Sequence, residues 1–141
     1  MTFPLSGLLR VRGVQERVAA QDLSRARADE AAVAAARHET ASSLAALAPA
    51  IDEPGTLLAL AAARSAGQAA LADLQTLLQV RRDEVAAAEA VHVRARRDLK
   101  GLERLESTHR DREGEGRLRA EQNALDEIAT TRAAPTPASG A

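Results

Sequence analysis

The chain has 141 residues, room for one domain, yet it carries a single aromatic, Phe3, and draws much of its 45% hydrophobic content from alanine, which excludes a thick globular core. Charged residues make up 28% with both signs interspersed, the composition of coiled coils and long helices. A formal net charge of −1 gives no global pull toward nucleic acid or a lipid surface, no cysteine is present for disulfides or thiolate metal sites, and no apolar run approaches the roughly 20 residues that cross a bilayer. The first ten residues, through Arg10, are too short and too soon charged for a signal peptide, so a soluble cytoplasmic chain without direct membrane insertion is expected.

The first predicted helix covers about 5–48, a stretch without proline whose glycines, Gly7 and Gly13, lie near its start. Val11, Val14 and Val18 keep one apolar frame, while Leu23, Ala26, Val33, Leu44, Leu47 and Ile51 keep another; the pair of frames requires a stutter near Ala19. Between Arg25 and Ser43 the inward positions are mostly alanine or polar, which predicts close, weak packing. Residues 49–56 follow as the breaker, with Pro49, Pro54 and Gly55 turning the chain and Thr56 as the N-cap of the next helix.

The second predicted helix covers about 57–132 and carries the clearest heptad. With a at 57, 64, 71, 78, 85, 92, 99, 106 and d at 60, 67, 74, 81, 88, 95, 102, 109, ten of sixteen seam positions are apolar, far past the length at which such a pattern arises by chance. The exceptions are Arg64, Gly67, Arg81, His92, Glu106 and His109. The pattern fades after Leu102 and returns in another frame at Leu118, Leu125 and Ile128. Gly67 offers a division that would leave 57–66 as a short helix at the tip, and residues 133–141, with two prolines and no periodicity, predict a disordered tail. Two amphipathic helices joined by a tight breaker fold back as an all-α antiparallel coiled-coil hairpin. The longer second helix then projects past the N-terminus, with Phe3, Leu5, Leu8 and Leu9 at the open end near Leu118, Leu125 and Ile128.

Nothing in the pattern points to catalysis, a cofactor or a metal. His38, His92 and His109 have no ligand-spaced partner, and the triplet His109-Arg110-Asp111 lacks the rest of the kinase set it would need. Arg94, Arg96, Arg97, Lys100 and Arg104 form a basic stretch interrupted by Asp98 and Glu103, with no aromatic for base stacking, so a solvated face is favoured over a nucleic-acid surface. Apolar residues gather at the tip (Leu44, Leu47, Ile51, Leu57, Leu58) and at the open end, where a two-helix hairpin cannot fully bury them; each either closes the coiled coil or marks a partner surface.

The N-terminal run Phe3-x-Leu5-x-x-Leu8-Leu9, followed by Arg10, Arg12 and Glu16, resembles the start of the FliJ family of the bacterial flagellar export apparatus. The C-terminal run Glu121-Gln122-x-x-Leu125-Asp126-Glu127-Ile128-Ala129-x-x-Arg132 is similar to that family's closing motif, and the likeness in length, central breaker and motif placement covers nearly the whole chain. The resemblance implies a non-catalytic antiparallel coiled coil, similar to the central stalk of rotary ATPases, whose open end inserts into the hexameric export ATPase and promotes its assembly. It also implies a contact with the export-gate membrane protein, a link to export chaperones, a place at the inner face of the cell membrane at the flagellar base, and a part in motility and chemotaxis. Carried over, the ATPase-facing set is Phe3, Leu5, Leu8, Leu9, Arg12, Leu125, Asp126, Glu127, Ile128 and Arg132. The family's gate contact lies nearer the tip and uses aromatics; this chain has none there and offers Leu44, Leu47, Leu57 and Leu58 instead. The alternatives are a structural or oligomerising coiled coil, and the equivalent stalk of a virulence-type secretion system.

Overall fold

A computed structural model describes residues 2–47 and 54–135 as two helices, α1 (Ser6–Ala45) and α2 (Pro54–Ala133), packed along each other. Their 40 and 80 residues correspond to rods of about 60 Å and about 120 Å. The cross-helix contacts run Phe3 to His109, Arg12 to Asp98, Glu16 to His92, Glu30 to Arg82 and Leu47 to Arg64, so residue numbers rise on one helix as they fall on the other. This is the antiparallel hairpin that the periodicity predicts.

The α2 seam matches the predicted heptad from Leu71 onward, whereas Leu57 and Arg64, a positions of the predicted frame, are exposed. Every a and d position from Leu71 to His109 is inward and at least half-buried, and Leu78 is the most buried residue at 2% exposure. The seam also continues where the apolar pattern fades: Glu106, His109 and Glu113 remain half-buried beyond Leu102. Arg81, inward at a d position, donates to Glu84 at 2.9 Å, and that hydrogen bond, with the carboxylate's charge, raises the guanidinium's pKa above its usual value. At the tip Arg64 is exposed and its guanidinium donates to the Leu47 carbonyl, just past the end of α1, at 3.3 Å.

Four details differ from the sequence expectations. First, α1 has no stutter. One heptad row, Leu9, Glu16, Leu23, Glu30 and Leu44, alternates with Arg12, Ala19, Ala26, Val33 and Leu47 on the inward face, broken once where Arg37 is exposed and Ala36 is half-buried in its place. Val11, Val14 and Val18 point outward, each about half exposed. The polar residues win the inward positions because each has a partner across the seam: Arg12 reaches Asp98 at 3.3 Å and Glu16 reaches His92 at 3.1 Å. Second, α2 starts at Pro54, where the missing N–H costs nothing in a first turn, so Thr56 lies inside the helix and does not cap it. Third, α2 runs unbroken through Gly67. That glycine makes room for α1: a Cβ there would lie 2.9 Å from Leu44 Cδ1. Fourth, α2 extends to Ala133, the first residue of the expected tail; the rest of the breaker, residues 49–53 including Ile51, and residues 136–141 of the tail lie outside the described residues.

Among the described residues only Ala19, Leu23 and Leu78 are fully buried, so stability is spread along many half-buried layers. The exposed cross-helix pairs Arg27–Glu89 (3.0 Å) and Arg82–Glu30 (3.5 Å) help set the register but add at most about 1 kcal/mol each.

Thermal unfolding followed by circular dichroism tests this seam. Leu78→Ala should cost about 2–4 kcal/mol, whereas Val18→Ala should stay within about 0.5 kcal/mol because its side chain faces solvent; equal losses would return the valines to the core. Glycines supply a second contrast. A Cβ at Gly101 meets nothing within 4 Å, so Gly101→Ala should stabilise by roughly 0.5–1 kcal/mol, while Gly67→Ala should give back most of that gain by displacing Leu44.

Candidate partner-binding surfaces

At the open end α1 begins without a side-chain cap. A backbone turn replaces it, with the Ser6 N–H donating to the Phe3 carbonyl at 3.1 Å. That turn presses Phe3 against α2, its ring centroid 5.5 Å from that of His109 at a 50° tilt. Phe3, Pro4 and Leu5 line one shallow groove with Leu105, Thr108 and Arg112. His109 Nε2 lies 3.3 Å from Glu113 but out of hydrogen-bond alignment, so the contact is one of charge only when the imidazole is protonated. Leu5 and Leu8 are about 40% exposed and Leu9 is half-buried. Arg12 is committed inward, donating to Asp98 at 3.3 Å and to Gln15 at 3.1 Å.

Beyond Gly114 the second helix is alone, and every described residue from Glu115 onward is exposed. Leu118, Leu125 and Ile128 stand 52–67% exposed on this overhang. Side-chain hydrogen bonds at i,i+4 spacing reinforce it: Gln122 donates to the Asp126 carboxylate, and Thr130 and Thr131 donate to the Asp126 and Glu127 carbonyls. Arg132 sits in the last turn, where its charge favours the negative end of the helix dipole. Glu127, Ile128 and Arg132 line a shallow groove with Ala124 and Thr131.

The residues expected at the open end therefore form two bands, not one patch. Phe3 lies level with His109, and Leu125 lies 16 residues farther along, about 24 Å away. Phe3, Leu5, Leu8 and Leu9 are thus not beside Leu125 and Ile128, contrary to the sequence expectation. At the tip Leu44 and Leu47 are half-buried, while Leu57 and Leu58 are 53% and 74% exposed.

The basic stretch separates in the same way. Asp98 turns inward to Arg12, whereas Arg96, Arg97, Lys100 and Arg104 line an outer groove with Val93 and Gly101. Among the described residues no group of three or more His, Asp or Glu is placed to hold a metal ion, and no helix is long and apolar enough to cross a membrane.

The outward valines are a surface that the sequence expectations missed. Val14 and Val18 share a groove with Val91, Arg94 and Ala95 on α2. Their spacing was the available signal, but in sequence alone it is indistinguishable from a seam.

Comparisons with curated proteins and with solved structures give no match. A family model does match, over residues 1–136, and it is described as that of the flagellar FliJ protein. The hairpin, its breaker and both terminal bands fall inside that span, and the chain belongs to the FliJ family.

Proposed function

We propose that the chain is a non-catalytic stalk and adaptor of the flagellar type III export apparatus, seated by its open end in the export ATPase hexamer, promoting assembly of that ring and linking it to the export gate. Family membership assigns it to flagellar export, and it favours the flagellar system over a virulence-type one. The observation that carries the finer reading is the overhang: a lone helix of roughly 30 Å with three large apolar side chains and no covering layer. Such residues on an otherwise charged helix mark a partner surface. A slender rod suits insertion into a ring, since the Ala-rich middle of α1 keeps the helices close.

In this reading Leu125, Ile128, Asp126, Glu127 and Arg132 form the distal band against the ATPase, and Phe3, Leu5, Leu8 and Leu9 form the proximal one. Arg12 contributes by holding the open end closed through Asp98. The exposed tip residues Leu57 and Leu58, with Leu44 and Leu47 behind them, are the surface offered to the gate protein. Export chaperones are further candidate partners, and the working location is the inner face of the cell membrane at the flagellar base.

Adding the chain to the purified export ATPase of the same organism should raise both hexamer formation and ATP turnover. Leu125→Asp with Ile128→Asp should weaken the effect tenfold or more, on the order expected for central apolar contacts, while the helical circular dichroism is retained. An ATPase indifferent to the wild-type chain would remove the stalk reading.

A further inference from the structure

The basic stretch of α2 is a charged surface that the seam does not use. Arg96, Arg97, Lys100 and Arg104 line one shallow outer groove with Val93 and Gly101, all six exposed. The four cations span residues 96–104, about 12 Å of helix. Among the described residues none of their side chains has an ion pair or a hydrogen bond, whereas Arg12, Arg27, Arg82 and Arg110 are each held by a carboxylate. The nearby acids do not neutralise the groove: Asp98 turns inward to Arg12 at 3.3 Å, and Glu103 lies outside the lining. Like charges so close repel one another, and a surface that supplies carboxylates relieves that repulsion.

The position of the groove on the helix matters as much as its charge. Arg97 and Arg104 stand five residues past the seam residues His92 and Leu99, the heptad position directly opposite α1. At seven-residue steps that row continues through Asp111 to Leu118 and Leu125 on the overhang. The row of Lys100 runs beside it, through Ser107, Gly114 and Glu121 to Ile128. One outer face of α2 therefore carries an apolar band at its end, interrupted by Glu121, and a cationic band closer to the tip, with Asp111 between them. Arg104 lies about 21 Å along the rod from Leu118, and Arg97 about 31 Å.

We propose that this cationic band is a second contact of the partner that seats the overhang, docking a carboxylate-bearing surface of that protein along the shaft. The proposal rests on the stalk reading, in which that partner is the export ATPase. Continuity selects the partner. Anything seated on Leu118 and Leu125 approaches from the side opposite α1, and along that side it meets Arg104 and Arg97 with no part of α1 in the way. Charge selects its chemistry, since guanidinium forks match carboxylates two bonds at a time and Lys100 adds a point charge. A nucleic acid is matched less well. The formal net charge of −1 gives no long-range attraction to a polyanion, and the one aromatic, Phe3, lies against His109. The two bands then act differently: apolar burial holds the overhang, while the exposed cations speed encounter and fix which side of the rod faces the carboxylates, an effect that salt screens.

Stimulation of the purified export ATPase by the full-length chain, titrated at about 50 mM and about 200 mM salt, tests this contact. Half-saturation by the natural chain should move several-fold to higher concentration with salt. Arg97→Glu with Arg104→Glu should raise half-saturation about tenfold at the lower salt and flatten the salt dependence, with helical circular dichroism retained because both side chains are exposed. The same charge change away from the groove, Arg17→Glu with Arg37→Glu, should leave half-saturation near the natural value; an equal loss would reduce the effect to net charge and overturn the docking. Half-saturation unchanged in the Arg97 and Arg104 variant, with an ATPase that the natural chain does stimulate, removes this contact and leaves the stalk reading standing. An ATPase indifferent to the natural chain removes both. Binding of a DNA duplex that is lost in the same variant assigns the groove to nucleic acid and overturns the proposal.

Discussion

Everything in this molecule depends on how polar residues are matched across a narrow seam. Among the described residues only three side chains are buried, so burial alone leaves a two-helix rod free to slide by a heptad. Glu16 against His92 and Arg12 against Asp98 remove that freedom, because a shifted register would leave half-buried polar groups opposite the wrong partners. Such pairs add little net stability, and their effect is to choose one alignment among several of similar apolar content. Gly67 adds a constraint of shape at the other end, where a Cβ would lie 2.9 Å from Leu44 Cδ1 and push that side chain aside. With register fixed at both ends, the length difference between the helices becomes a defined overhang.

This division explains what the sequence made legible. The α2 seam was readable because its heptad is long and each helix position reports its own face; even Arg81, His92 and His109, which look like interruptions, occupy the predicted rows. The α1 frame was not, since Val11, Val14 and Val18 outrank Arg12 and Glu16 on any local measure of apolarity. What reverses the order is a partner some eighty residues away in the chain, which no window along α1 contains. The end of the breaker was misplaced for a related reason: a proline stops a helix that precedes it but fits the first turn of one that follows.

The functional surfaces follow the same pattern. The overhang and its Leu125–Ile128 band were visible from chain length and motif. The separation of Phe3 from Leu125 was not, because it requires the register, and neither was the groove that Val14 and Val18 share with Val91, because it exists only once two helices are placed together.

The point where two helices become one has a mechanical consequence. A paired rod resists bending far more than a single helix does, so sideways load on the far end is taken up just beyond Phe3 and His109. Gly114 and Gly116 lie immediately past that step, with no side chain to brace the outer turns. The least braced stretch of α2 thus lies between the stiff paired shaft and the lone terminal segment, and bending of that segment is concentrated there.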